Sequence, residues 1–370
     1  MIKIDKEKLR NYLSSVFGSD ITIKSIEKLG EGFHALGFLV DTVNKKGEEK
    51  RYVLKTLHDK GFGHEYPSDR ANVFIRALMD YNLLPKHVKA INVGSIQQDG
   101  KLLSIEKPKD FFIVMEEAKG KDYWKNLRRI RDEGVLKDEE RKRVTALAKY
   151  LAEIHSIGYT GDNRDYLYRR VARDFVGHGE LTMGVIDTFP DKLEFVKRKE
   201  LVEIVKKMIE WWDKIKDMAK RLTVIHGDFY CGNIWFDNDK LILLDRSRFR
   251  YGDPADDTTC FNTNIINYSV MTFGEFENPF KKLLELFYME YFKRRDDPGM
   301  FKVSPFFFAF RALVCIHPVF YNKEWMREHG FKEERIEPIN ESKRKIINFI
   351  KNVLDEDEFK IQKINSYLKD

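Results

Sequence analysis

Two acids and one amide lie close together in the middle of the sequence and could together perform phosphoryl transfer. Asp228 and Asn233 are five residues apart in the segment HGDFYCGN, and Asp245 closes the apolar run ILLD twelve residues beyond Asn233. On a loop between short strands, these three side chains can face one point in space. Phosphoryl transfer needs an acid that accepts the nucleophile's proton and oxygen ligands that hold Mg²⁺. The alternative is a β-hairpin with acidic turns and a buried histidine.

A second segment, nearer the N-terminus, has the residue types that bind phosphate. In LGEGFHALGFLV, Gly30 and Gly32 occupy a turn between two predicted strands. Glycine lets backbone N–H groups approach phosphate oxygens, although many hairpin turns carry glycine for steric reasons alone. The spacing fits neither the GxxxxGKS/T loop nor a strand-to-helix GxGxxG turn, so the Walker and Rossmann interpretations fail.

One lysine supports the phosphate interpretation. Lys55 lies inside the apolar strand pattern YVLKTL, and a buried lysine needs an anionic partner. Glu65 and Asp69 are the candidate partners near the next predicted helix, and we favour Asp69. At that helix start, Asp69 could instead serve only as a cap.

These motifs together resemble a known family. HGDxxxxN, an Asp that closes a strand and the segment GDPADD at 252–257 are similar to the aminoglycoside phosphotransferase and choline-kinase-like group, which shares the protein-kinase fold. The resemblance implies that Asp228 is the catalytic base and that Asn233 and Asp245 are metal ligands. It also implies that Asp257 is a structural acid and that His226 orients the loop.

The same resemblance extends to the nucleotide side. It implies that Lys55 contacts the α- and β-phosphates of ATP. It also implies that the segment MEEA at 115–118 is a hinge whose backbone binds adenine, at Glu116 and Ala118. His155 matches a position that packs under the catalytic loop. One departure is Arg246-Ser247, where the family often has an aromatic–acid or Phe-Gly pair after the metal-binding Asp.

Residues that contact the phosphate acceptor are expected in the C-terminal part. The segment 169–180 is rich in polar groups and glycines, and an acid follows shortly. Its arginines favour a neutral or anionic acceptor over a polycation, and an exposed loop with incidental charges is the alternative. The candidate substrate residues are Arg173, His178, Glu180 and Asp187. Further on, His317, Tyr321 and Trp325 recur every four residues, which predicts one helix face that is more often core than pocket.

The elements that must position these residues change in kind along the chain. A strand-rich pattern is followed by a polar connector and then by mostly helical spacing, with a strand-rich island at 224–244. We predict a two-lobed α+β fold with a small β-rich nucleotide-binding lobe (1–115), a hinge (116–120) and a larger, mostly helical catalytic and substrate lobe (121–370). The predicted helices span 6–17, 68–81, 141–155, 197–218, 280–292, 305–317 and 343–354, and the main strands 21–29, 38–43, 51–57, 90–96 and 111–115.

Composition excludes several classes of protein. The 370 residues are 34% charged with a net charge of +6, and such a chain can bury one or two cores, which excludes disordered and collagen-like proteins. Basic residues alternate with acidic ones instead of forming a nucleic-acid-binding stripe. Cys231, Cys260 and Cys315 lack metal-ligand spacing and argue against disulfides or zinc. The start lacks the apolar stretch of a signal peptide and no segment suits a membrane span, so we expect a cytoplasmic protein without a membrane partner.

The sequence thus favours an ATP- and Mg²⁺-dependent kinase that acts on a hydroxyl of a small molecule, with the nucleotide between the lobes. An atypical protein kinase is the first alternative, although the motif is HGD, no DFG or APE follows and little chain is left for an activation segment. A catalytically inactive kinase-fold binding module is the second, disfavoured because the proposed lysine, base and metal ligands are all present. A nucleic-acid binder is a distant third, and we expect no nucleic-acid partner.

Overall fold

A computed structural model of the protein describes residues 4–31, 35–58, 64, 67–103, 110–246 and 250–370. The chain divides into two compact units. Met1–Lys119 and Ile242–Ser247 form the N-terminal unit, and Gly120–Leu241 and Arg248–Asp370 form the C-terminal unit. The sequence predicts one lobe for 121–370, whereas the segment that carries Asp245 belongs to the N-terminal unit.

The N-terminal unit is an antiparallel sheet with two helices. Its strands are β1 (Ile21–Glu31), β2 (Ala35–Asn44), β3 (Glu49–Leu57), β4 (Ala90–Ile96), β5 (Leu102–Leu103) and β6 (Asp110–Glu116). Its helices are α1 (Lys6–Phe17) and α2 (Pro67–Asp80), followed by a 3-10 turn at Tyr81–Leu83. The strand order is β1-β2-β3-β6-β4-β5. The five main predicted strands and both predicted helices are present, and most strands extend one to three residues further.

Helix α1 has the bounds that its sequence predicts, because both ends are capped. The Asp5 side chain accepts hydrogen bonds from two N–H groups of the first turn, and Gly18 ends the helix with φ +61°. The apolar face buries Leu9, Tyr12 and Leu13 against the sheet. This packing fixes one side of the sheet.

The opposite side of the sheet packs on α2 and on the returning segment 242–246. Phe74 of α2 lies in a core cluster with strand residues of β6, and Ile242 and Leu244 pack against the same cluster. Between them, the Leu243 backbone donates to Lys86 O and accepts from Val88 N–H. The side chain of Asp245 is therefore positioned by the N-terminal unit.

The C-terminal unit is mostly helical, as predicted. The connector is followed by β7 (Lys121–Asp122), and the other strands are β8 (Thr223–Val224), β9 (Ile234–Asp237), β10 (Lys240–Leu243) and β11 (Tyr251–Gly252). The chain passes from this unit into the N-terminal unit within β10. The helices are α3 (Trp124–Glu133), α4 (Asp138–His155), α5 (Arg164–Gly177), α6 (Thr182–Asp187), α7 (Arg198–Ile215), α8 (Pro254–Phe273), α9 (Phe280–Phe292), α10 (Met300–Ile316), α11 (Lys323–Glu328), α12 (Glu333–Ile336), α13 (Ile339–Leu354) and α14 (Ile364–Tyr367).

Helix α8 forms the centre of this unit and is buried from Pro254 to Met271. Asp253 caps its start by accepting the Ala255 N–H at 2.8 Å, Pro254 occupies the first helical position, and Gly274 ends it with φ +84°. Because α8 is buried on every face, its sequence lacks an amphipathic period, and the residue pattern alone did not predict it.

Helix α10 packs on α8 and begins five residues earlier than the predicted 305–317. A proline inside a helix lacks the N–H that would bond the carbonyl four residues before it. Here the carbonyl of Phe301 accepts the N–H of Phe359 at 2.8 Å, so the C-terminal chain supplies the donor that Pro305 lacks. The helix therefore continues through the proline.

The predicted single helix face of His317, Tyr321 and Trp325 is wrong. Helix α10 ends at Ile316 and α11 begins only at Lys323, so the three residues span a turn. The core interpretation holds for Tyr321, which is buried and packs against Trp124 and Trp325. The three cysteines are free and buried. Within the described ranges, no helix has the length and apolarity to cross a membrane.

Candidate active site

The segment HGDFYCGN forms a loop of the C-terminal unit between β8 and β9. One buried carboxylate holds its backbone: Asp257, in the first turn of α8, accepts the His226 N–H through Oδ2 and the Gly227 N–H through Oδ1, both at 2.7 Å. The His226 Nδ1 in turn accepts the Asp228 N–H at 3.2 Å. The orienting role expected for His226 and the structural role expected for Asp257 are consistent with these bonds.

His155, at the end of α4, lies under this loop. Its Nε2 is 3.1 Å from Asp257 Oδ2, and its Nδ1 is 2.8 Å from the Tyr291 hydroxyl. Burial lowers the pKa of His155 against the attraction of Asp257, so the imidazole is neutral near neutral pH. The tautomer that satisfies both contacts carries its proton on Nε2. Although burial opposes ionisation of Asp257, its bonds to His155 and to the His226 N–H hold the pKa of that carboxyl below its ordinary value.

The predicted catalytic base and the first predicted metal ligand are brought together. The Asn233 Nδ2 donates to Asp228 Oδ2 at 3.1 Å and to the Asp228 carbonyl at 3.0 Å. The Asp228 side chain is 23% exposed, whereas Asn233 is buried. The site therefore offers a fixed, solvent-reachable carboxylate beside a buried amide.

An arginine that sequence reasoning missed contacts the same carboxylate. The Arg311 Nη1 of α10 lies 2.8 Å from Asp228 Oδ1. The rest of the guanidinium donates to the Gly227 carbonyl at 3.0 Å and to Asp256 Oδ1, with the Nε at 3.1 Å. Burial opposes the charge, but Asp256 and Asp228 hold the pKa of Arg311 well above its ordinary value, so the guanidinium is a permanent cation.

A signal for Arg311 existed in the sequence. Arg311 lies inside the apolar stretch 304–320. A cation inside an apolar helix needs an anionic partner for the same reason as Lys55 does in its strand. That rule predicts a partner for Arg311 but cannot identify Asp228, which lies 83 residues away in sequence.

In the N-terminal unit, the structure pairs Lys55 with Asp245. The Lys55 Nζ of β3 lies 2.9 Å from Asp245 Oδ1, and the buried Tyr81 hydroxyl donates to the same oxygen at 3.3 Å. Asp245 has a positive φ of +52°, which is uncommon for a non-glycine residue, although Asp adopts it more often than most. Burial, followed by the negative charge of Asp245, raises the pKa of Tyr81 well above its ordinary value and keeps its hydroxyl a donor. Tyr81 is a second residue that the sequence did not indicate.

We expect Tyr81→Phe to weaken the orientation of Asp245. Loss of one hydrogen bond should lower the free energy of unfolding by about 1 kcal/mol. Because the resemblance implies that Asp245 binds Mg²⁺, loss of this outer contact should also weaken metal affinity by about tenfold. The measurement is thermal stabilisation by ATP as Mg²⁺ is titrated. Tyr12→Phe is the matched control, because the buried Tyr12 hydroxyl bonds Asn92 at 2.8 Å in the same unit. Equal Mg²⁺ dependence in both variants would contradict a role for Tyr81.

The remaining nucleotide-side predictions fall at several places in the N-terminal unit. Gly30 lies near the end of β1, whereas Gly32 and the candidate partner Glu65 lie outside the described residues. Asp69 lies in the first turn of α2, and its pairing with Lys55 stays a prediction. Glu116, a predicted hinge residue, ends β6, where its N–H donates to Lys89 O at 3.1 Å. Ala118, two residues later, packs against the core cluster that contains Phe74.

The acceptor candidates lie on α5 and α6, where the sequence left an exposed loop as an alternative. Arg173 is 65% exposed and pairs with Asp174, while the Glu180 N–H donates to His178 Nδ1 and Asp187 ends α6. The neighbouring Arg169 and Arg170 are also paired with carboxylates on the surface. Because these charges are compensated locally, the argument for an anionic or neutral acceptor loses its support. The substrate roles of these four residues stay predictions.

The chemistry of the donors fits a magnesium ion. Magnesium is bound by oxygen and keeps several waters, so one carboxylate and one amide oxygen suffice. Since the Asn233 nitrogen is directed at Asp228, the amide oxygen is presented on the other side of the carboxamide. Asp245 offers a carboxylate fixed by Lys55 and Tyr81. Among the residues that the structure describes, no group of three His, Cys, Asp or Glu residues forms a metal-binding cluster.

Comparisons with known proteins agree with this organisation. A family model described as APH, phosphotransferase enzyme family, matches residues 25–268. The chain is similar to the amicoumacin kinase hAmiN, solved in complex with AMP-PNP, Ca²⁺ and Ami, with 15% sequence identity, a TM-score of 0.57 and coverage of 91% of each chain. At this identity the similarity shows the fold, and the predicted two-lobed protein-kinase-like fold is confirmed.

Two further solved structures are similar at lower TM-scores. Choline kinase from Cryptosporidium parvum Iowa II shares 15% identity at a TM-score of 0.48, with coverage of 94% of this chain and 93% of that chain. A thermostable mutant of the aminoglycoside phosphotransferase APH(4)-Ia shares 13% identity at a TM-score of 0.48, with coverage of 93% and 98%. The comparison with curated proteins returns no match.

Proposed function

The chain belongs to the phosphotransferase enzyme family, and from that premise we propose that it is a kinase that transfers the γ-phosphate of ATP to a hydroxyl of a small molecule with the help of Mg²⁺. The observation that carries the proposal is the Asp228 carboxylate, held between Arg311 and Asn233 yet partly open to solvent. A general base that accepts the nucleophile's proton must be held in place and be accessible to the acceptor, and this carboxylate is both.

The proposed roles divide between the two units. In the C-terminal unit, Asp228 accepts the proton of the acceptor hydroxyl as the oxygen attacks the γ-phosphorus and ADP leaves. In the N-terminal unit, Lys55 binds the α- and β-phosphates. Asn233 and Asp245 would hold Mg²⁺, which supplies neutralising charge to the phosphates when bound. The similar hAmiN structure contains AMP-PNP and Ca²⁺, an ATP analogue and a divalent cation, which supports this choice of ligands.

Two alternatives are less well supported. A protein kinase needs an activation segment, and here residues 244–253 alone separate β10 from α8. A catalytically inactive module would be expected to have lost one of the proposed groups. Lys55, Asp228, Asn233 and Asp245 are all present, and each touches another charged or polar group of its own unit.

The decisive experiment measures ATP consumption with sugars, amino alcohols, nucleosides and aminoglycosides as acceptors, together with thermal stabilisation by ATP plus Mg²⁺. A ligand at 100 times its Kd should add about 2.7 kcal/mol to the free energy of unfolding. Removal of Mg²⁺ with EDTA should abolish turnover. The proposal is rejected if no acceptor supports turnover and ATP plus Mg²⁺ does not stabilise the protein.

We expect Lys55→Met to lower kcat/KM for ATP by about 10²-fold, because a preorganised cation on the phosphates is lost. The measurement is steady-state kinetics with the best acceptor of the panel. Lys50→Met is the matched control, since Lys50 lies on the same strand but is exposed. An equal loss in both variants would point to damage to the sheet instead of a phosphate contact.

A further inference from the structure

The side chain of Arg311 has a position that the proposed reaction does not yet use. It is 5% exposed and therefore out of reach of a bulky substrate. Its partners are two carboxylates and one backbone carbonyl, and one of those carboxylates is the proposed base. We propose that Arg311 is a positioning residue that, anchored on Asp256, fixes the orientation of the Asp228 carboxylate; the proposal rests on the function proposed above.

The anchoring follows from the difference in burial between the two carboxylates. Asp256 is fully buried in the first turn of α8, whereas Asp228 is 23% exposed on a loop. Two contacts of the guanidinium, from Nε and Nη2, reach Asp256 Oδ1, and the Nη2 also donates to the Gly227 carbonyl. The guanidinium is planar and rigid, so these bonds fix the direction of the remaining Nη1 toward Asp228.

The two oxygens of Asp228 then have different donors. Arg311 Nη1 is on Oδ1 and Asn233 Nδ2 is on Oδ2. Donors on both oxygens fix the rotation of the carboxylate. Each carboxylate oxygen can accept more than one hydrogen bond, so the hydroxyl of an acceptor can still be bound.

Removal of Arg311 would disturb both partners. Asp256 would be a buried carboxylate that has lost its contacts with the guanidinium, which destabilises the start of α8. Asp228 would lose one of its two orienting contacts. Misplacement of a reacting group by about 1 Å can cost about 10²-fold in rate, so the effect should fall on kcat.

The test compares Arg311→Met, Arg311→Lys and Asp256→Asn by steady-state kinetics, with water as acceptor if no other acceptor is found. For Arg311→Met we expect kcat to fall about 10²-fold while the KM for ATP changes less than about threefold. Arg311→Lys should recover part of the loss, because it restores the charge without the planar fork. The kcat of Asp256→Asn should lie between the kcat of the wild type and that of Arg311→Met.

Arg221→Met is the matched control, because Arg221 also bridges two buried carboxylates, Asp253 and Asp297, in the same unit. It should lower the melting temperature without lowering kcat. If folded Arg311→Met keeps kcat within threefold of wild type, the positioning role is rejected while the proposed function stands. If Arg311→Met fails to fold, wild-type kcat in both Arg311→Lys and Asp256→Asn rejects it. A wild type without any turnover rejects the proposed function, and the positioning role with it.

Discussion

Asp228→Asn is expected to lower kcat by about 10³-fold while the affinity for ATP stays within a few-fold of wild type. Proton transfer by a positioned side chain contributes about 10²- to 10⁴-fold to a rate, and an amide cannot accept the proton. Asn has the size of Asp, so the loop should keep its place. The measurement is kcat and KM for ATP with the best acceptor.

The control for this variant is Asp217→Asn. Asp217 is 62% exposed and pairs with Arg169 on the surface, so the same change of chemistry there should leave kcat unchanged. Thermal unfolding of both variants distinguishes the loss of the proton acceptor from the loss of the fold. A kcat of Asp228→Asn within tenfold of wild type would show that another group, or water, takes the proton.

Much of the site could be predicted because its residues are close in sequence. Asp228 and Asn233 belong to one loop, where their side chains are 3.1 Å apart. Lys55 could be identified because a lysine in an apolar strand needs an anionic partner, and the structure contains that partner. The partner could not be read from the pattern, because Asp245 lies 190 residues away in numbering (55 to 245), in a segment that packs against the core of the N-terminal unit.

The residues that sequence reasoning missed are those whose importance depends on long-range contacts. Tyr81 is an ordinary core tyrosine in sequence and meets Asp245 only when 242–247 returns to the N-terminal unit. Arg311 reaches Asp228 through the packing of α10 on α8. Helix α8 itself lacks a period because all its faces are buried, whereas α1 was predicted to the residue because it has one buried face and two caps.

The same reasoning applies to the acceptor segment, whose substrate roles stay predictions. The residues 169–180 are rich in polar groups, and 169–177 of them belong to α5, where arginines pair with nearby carboxylates. Charge type in a sequence does not show whether a charge is compensated by its neighbours. In this chain the informative charges are the buried ones, Arg311 and Asp257, because burial requires a specific partner.

Asp257→Asn is expected to lower the free energy of unfolding by about 3 kcal/mol or more, and to lower kcat with it. The carboxylate accepts two backbone N–H groups at 2.7 Å and contacts His155, while an amide has one oxygen and would direct its own N–H₂ at one of these donors. The loop that carries Asp228 would then lose its fixed backbone. Chemical unfolding at neutral pH measures the first effect and steady-state kinetics the second.

The pH dependence of the free energy of unfolding shows whether the charge of Asp257 causes the loss of stability. The pKa of Asp257 in the folded protein is below its ordinary value, so its ionised form contributes stability above the unfolded carboxyl's pKa, and this contribution is lost as the pH falls through the folded value. The difference between wild type and Asp257→Asn should therefore be full at neutral pH and shrink below about pH 4. Asp165→Asn is the control, because Asp165 also lies in a first helical turn but is exposed. A difference between wild type and Asp257→Asn that does not change with pH would mean that the charge of Asp257 does not stabilise the loop.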